Sequence, residues 1–208
     1  MTIKDLQPSN VWENFYLLTR VPRPSKHEEK VREFLLDWAK ERNIEAFTDK
    51  TGNVIMRVPA TPGYENKKGI VFQGHMDMVP QKNADTVHDF ENDPIETYVD
   101  GDWLRAKGTT LGADNGLGLA LGMAMLESKD IQHGPLELLA TYDEETGMTG
   151  AMLLEPGILK GDILINLDSE EEGELCIGCA GGLDATAYDE YQRKPMPENH
   201  LCYSLAVK

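Results

Sequence analysis

Cysteine is scarce in this chain. Its three thiols, Cys176, Cys179 and Cys202, come too late and are too few for a disulfide framework. Positive charge is also short: 20 lysines and arginines face 36 acids, a net charge of −16. A surface this acidic repels phosphate backbones and anionic bilayers, so neither nucleic acid nor membrane is an expected partner. No run of about 18 apolar residues offers a membrane span. The opening MTIKDLQPSNVWENFYLLTR has no basic start followed by an apolar block, so the expected compartment is the cytoplasm. None of the five serines is flanked as in a nucleophile elbow. His27-Glu28 lacks the second histidine of an H-E-x-x-H zinc helix.

What remains is an ordinary globular composition of 208 residues, 40% hydrophobic and 27% charged, long enough to bury a core without staples. Asn10-x-x-Glu13 opens one expected helix. Ser25-x-x-Glu28 reads as a capping box for a second, running to about Arg42 with Val31, Leu35 and Trp38 on one face. Ile44 to Thr48 and Val54 to Val58 read as a hairpin, and Asp100-Gly101 as the turn of another. Gly69 to Phe72, Pro135 to Thr141 and Asp162 to Leu167 read as buried strands. Leu117 to Glu127 reads as a buried helix whose glycines allow close packing. Alternating helices and strands argue for an α/β layer fold. After about Ala185 the chain turns polar and Pro-containing, and Leu201 to Val207 begins a new β-like run. Residues 1–185 are therefore expected to form one domain and 186–208 the start of another.

In open α/β sheets, ligands bind beyond the carboxyl ends of the strands. Three strands here end in donors: Phe72 runs to His75 and Asp77, Ala140 to Asp143, Glu144 and Glu145, and Leu167 to Asp168. Asp114 stands in a glycine-rich loop before the apolar helix. One such acid is ordinarily a turn residue or helix cap. Four segments delivering an imidazole and several carboxylates to one edge suit zinc or manganese, and have enough ligands for two ions. Cys176-x-x-Cys179 lacks a second pair and lies in an apolar β-like run, so it is expected to be buried structure. Asp168 to Glu174 fails as a calcium loop because Cys179 occupies the place of the bidentate glutamate.

His75-Met-Asp77, Gly112-Ala-Asp114-Asn115-Gly, Asp143-Glu144-Glu145-Thr-Gly and Asn166-Leu-Asp168-Ser-Glu resemble the metal-site segments of the aminoacylase- and carboxypeptidase-like di-zinc peptidases. Val79 to Asn83, Thr86 to Phe90, Lys107 to Gly116 and Asp168 to Gly173 are similar in detail to the Xaa-His dipeptidase branch. The resemblance implies a three-layer α/β/α catalytic domain, here incomplete, with the start of an α+β lid domain that in full-length members often mediates homodimerisation. It implies two Zn²⁺ ions, with Mn²⁺ or Co²⁺ as substitutes. His75 and Asp168 would hold one ion, Asp114 would bridge both, and Glu145 would hold the other. Asp77 would orient His75, and Glu144 would be the general base that activates water against a dipeptide. A cis Asp114–Asn115 peptide is implied as well. Full-length members are much longer and carry a further histidine ligand near the C-terminus. The chain alone is therefore expected to be weakly active or inactive. The alternatives are an amidohydrolase or deacylase of another amide, and a non-catalytic acidic fragment that binds metal.

Overall fold

A computed structural model describes residues 2–169 and, beyond them, 173–178, 181–182, 185–192, 195, 198–201, 203 and 205. The chain divides into two units, Met1–Glu171 and Glu172–Lys208. The described residues of the second unit form no helix or strand. Cys176 is exposed there, between the exposed Leu175 and Ile177, so its expected burial is not found. Among the described residues of this segment, no strand turns its apolar side chains into a core. Cys179, Cys202 and Glu170 to Glu172 lie outside the described residues, as does much of the β-like run from Leu201.

In the first unit, helices α1 (Ser9–Thr19) and α2 (Glu29–Glu41) precede the hairpin β1 (Glu45–Thr48) and β2 (Val54–Val58). Strand β3 (Ile70–His75) follows, then the separate hairpin β4 (Thr97–Asp100) and β5 (Trp103–Ala106), then α3 (Ala113–Glu127) and β6 (Leu136–Thr141). Two single turns, α4 (Glu144–Gly147) and α5 (Thr149–Met152), lead to β7 (Ile163–Asn166). The main sheet runs β1-β2-β6-β3-β7. Its first two pairings are antiparallel; β6, β3 and β7 are parallel.

The two-residue period of the strands sorts the core. Val54, Met56, Phe72, Leu136, Leu138 and Ala140 face α1, α2 and α3. Ile55, Val71 and Leu139 face the other way, under Leu154, Ile158 and Leu159. The α/β layer fold is as expected, with one thick helical layer and one thin layer. Close packing explains the α3 glycines. A Cβ at Gly122 would strike the Leu138 side chain at 2.6 Å, and one at Gly118 would lie 2.7 Å from the Leu167 carbonyl.

Three local expectations change. Helix α2 begins at Glu29, not at the Ser25 capping box. Pro24 instead bridges to Met78, the Ser25 N–H donates to Met78 O (3.3 Å), and Lys26 takes a positive φ. Strand β7 is not buried: Ile163, Leu164 and Ile165 are 42%, 53% and 38% exposed, because among the described residues it is the edge strand of the sheet. On α3, Leu117 and Leu121 are exposed, so that helix is covered on fewer sides than its composition predicts.

Candidate metal centre

Parallel pairing decides what converges. With β6, β3 and β7 running the same way, the segments that follow their last residues leave from one edge. His75 is paired with Thr141 at the end of β3 and β6. Asp77 follows β3, Asp143 to Glu145 follow β6, and Asp168 follows β7. Asp114 arrives from the first turn of α3, where it and Asn115 leave helical geometry, and the peptide between them is cis as the resemblance implies. The structure thus brings all six expected site residues together.

His75 is the hub. Its ring is 1% exposed, with Nδ1 lying 3.2 Å from Asp77 Oδ1 and 3.1 Å from Asp77 O. Nε2 lies 2.8 Å from Asp114 Oδ1, 3.9 Å from Glu144 Oε2 and 3.8 Å from Asp168 Oδ1. Two donor groups share the histidine: His75, Asp114 and Glu145, and His75, Glu144 and Asp168. Within each, one ligand atom per residue lies within 4.8 Å of the others.

Asp77 is fully buried and committed on both oxygens. Besides His75, it accepts the N–H groups of Glu144 (3.0 Å, Oδ1) and Glu145 (3.2 Å, Oδ2). Burial alone would raise its pKa, but His75, Ser25 and the Glu144 amide outweigh that and hold it at about 2. Burial likewise pulls His75 down, and hydrogen bonds to Asp77 and Asp114 with the charge of Asp168 lift it to about 9. Burial pushes Asp168 up to about 6, helped by the Asp114 and Glu144 charges. Glu145 is also raised, first by burial and then by Asp114. This is a carboxylate cluster short of positive charge, and its imidazole, carboxylate and tautomer-fixing partner fit the donor set of a divalent-metal site.

Several contacts around the site carry no sequence signal. Asn115 Nδ2 donates to Leu167 O (2.8 Å) and Asp168 Oδ1 (2.9 Å), tying α3 to the end of β7. Asp143 accepts the hydroxyls of Thr146 and Thr149, which closes the loop after β6. Glu28 accepts the Asp143 N–H (3.1 Å), with its second oxygen buried and unpartnered. Arg23 is buried beneath the site between two prolines, a context with no periodicity to mark it. A cleft of about 650 Å³ opens beside Asp114 and Asp168, with Val11, Trp12, Leu117 and Leu121 among its apolar lining.

The profile of peptidase family M20/M25/M40 matches residues 71–197, from β3 past β7 and through all six site residues. This chain belongs to that family. It is 49% identical over 206 residues to the cytosol non-specific dipeptidase of Escherichia coli (strain K12), covering 99% of this chain and 42% of that relative. The crystal structure of aminoacylhistidine dipeptidase from Vibrio alginolyticus superposes with a TM-score of 0.81 at 57% identity, covering 83% of this chain and 35% of that one. Aminopeptidase PepT from Bacillus cereus ATCC 10987 matches at a TM-score of 0.65 and 28% identity, over 78% of this chain and 43% of that one. The chain therefore spans less than half the length of these relatives. Among the described residues, no helix is long and apolar enough to cross a membrane.

Proposed function

We propose that this chain carries most of the catalytic site of a cytosolic, metal-dependent dipeptidase. The observation that carries the reading is the convergence of His75, Asp114, Glu144, Glu145 and Asp168 in two overlapping donor groups, in a chain 49% identical to a cytosol non-specific dipeptidase. Residues 1–185 are read as the N-terminal portion of the catalytic domain and 186–208 as the start of a second domain. His75, Asp114 and Asp168 would hold one divalent ion, and Asp114 and Glu145 the other, with zinc the first choice and Mn²⁺ or Co²⁺ able to replace it. Such ions lower the pKa of a water and polarise the scissile carbonyl.

The protein's own part follows from the geometry. Asp77 accepts from His75 Nδ1, which leaves Nε2 free to ligate and raises its basicity. The same carboxylate pins the backbone of Glu144 and Glu145, so base and ligand are held from one anchor. Glu144, 29% exposed and 3.9 Å from His75 Nε2, would take the proton of an attacking water and pass it to the leaving amine. The dipeptide is the expected substrate.

The test is hydrolysis of a panel of dipeptides, including Xaa-His, and of N-acyl amino acids, with Zn²⁺, Mn²⁺ or Co²⁺ added. Cleavage is expected to be slow for this chain alone, to favour dipeptides, and to vanish in Glu144→Gln while bound metal persists. Hydrolysis unchanged in Glu144→Gln would remove it as the base. A preference for N-acyl amino acids would move the reading to a deacylase.

A further inference from the structure

Arg23 lies in the loop between α1 and α2, 2% exposed, and reaches two segments of the site from beneath. Its Nη1 donates to Met76 O (3.0 Å) and Asp77 O (2.9 Å), in the loop that leaves His75. Its Nη2 donates to Gly112 O, two residues before Asp114. The backbone reinforces the first link, since Met78 N donates to Arg23 O at 3.1 Å. The second link is enforced by shape. A Cβ at Gly112 would lie 2.6 Å from Arg23 Nη2, and one at Gly116 2.5 Å from it. Gly112 also has φ +68°, which disfavours a side chain there in any case.

All three hydrogen-bond acceptors are carbonyls, and Arg23 makes no ion pair among the described residues. A buried guanidinium is costly unless its donors are used. Here a rigid planar fork ties the backbone after His75 to the backbone before Asp114, the two residues whose side chains meet at 2.8 Å. Lysine, a point charge on a flexible stem, cannot span both loops with one geometry.

We propose that Arg23 is a positioning residue: its guanidinium sets the separation of the His75 and Asp114 loops and thereby the affinity of the site for a divalent cation. The inference rests on the metal-dependent reading above. The experiment compares wild type and Arg23→Lys by thermal unfolding, by Zn²⁺ affinity in chelator competition, and by the visible spectrum of the Co²⁺-loaded protein. The folded variant is expected to lose about 10–100-fold in Zn²⁺ affinity, the usual effect of removing a group that orients ligands, and to show an altered cobalt spectrum. A folded variant with lower thermal stability but unchanged affinity and spectrum would make Arg23 purely structural and overturn the proposal. A second measurement needs no variant. The Arg23 side-chain nitrogen resonances of the wild type should shift when Zn²⁺ saturates the site, and unmoved resonances would also overturn it. Failure of the wild type to bind Zn²⁺ or Co²⁺ would instead sink the metal-dependent reading, and this inference with it.

Discussion

Asp77 and His75 are locked as a pair: the buried Asp77 carboxylate meets His75 Nδ1 at 3.2 Å while its two oxygens also hold the amides of Glu144 and Glu145. One side chain therefore orients the His75 ring and fixes the backbone path of Glu144 and Glu145. Asp77→Asn keeps the volume and loses the charge. It should weaken Zn²⁺ binding about 10–100-fold without abolishing folding. Chelator competition on the folded variant measures this, and an unchanged affinity would separate Asp77 from the site.

Metal should stabilise the fold, because the donors come from four segments that only folding assembles. At a free Zn²⁺ concentration 100 times the dissociation constant, the gain is about 2.7 kcal/mol. For a chain of this size that is a rise in Tm of roughly 5–10 °C. Asp114→Ala should remove most of the rise. A Tm that ignores zinc would count against a preformed site.

Glu28 gives stability a pH dependence of definite sign. It is fully buried, and burial pushes its carboxyl from 4.5 up to about 7. The folded state therefore holds a proton that the unfolded state has released between those values. Stability from this group is complete below pH 4.5, falls as pH rises towards 7, and is flat above that. At about 1.4 kcal/mol per pH unit, the loss is on the order of 3 kcal/mol. Glu28→Gln, which mimics the protonated form, should flatten the curve across this window. Chemical denaturation at a series of pH values is the check, and parallel curves for the two proteins would show that Glu28 is already ionised in the fold.

Gly118 links helix packing to the site. A Cβ there would crowd the Leu167 carbonyl and the Asn115 side chain, the group that holds Asp168. Gly118→Ala should cost about 1–3 kcal/mol by overpacking, despite its better helix propensity. It should also lower Zn²⁺ affinity by displacing Asp168. A variant more stable than wild type would mean the helix shifts freely away from β7.

The parallel strands were legible because each is an apolar run that stops at a donor: Phe72 before His75, Ala140 before Asp143, Leu167 before Asp168. Strand direction brings His75, Asp77, Glu144, Glu145 and Asp168 to one edge, and α3 adds Asp114. The start of α2 was misread because Ser25 carries a genuine capping pattern, and a tertiary pairing of Pro24 with Met78 overrides it. The burial of β7 was misread because an apolar run does not say whether its strand is central or at an edge. The contacts of Arg23, Glu28 and Asn115 left no pattern, since each joins groups distant in sequence that only the fold brings near.

The central claim is a two-ion site built on His75, Asp114, Glu145 and Asp168. Its most direct test is bound metal per folded chain, by elemental mass spectrometry after zinc loading and dialysis. The account predicts close to two zinc ions per chain, falling sharply in Asp114→Ala. No retained zinc on protein shown to be folded, or the same content in Asp114→Ala, would contradict it.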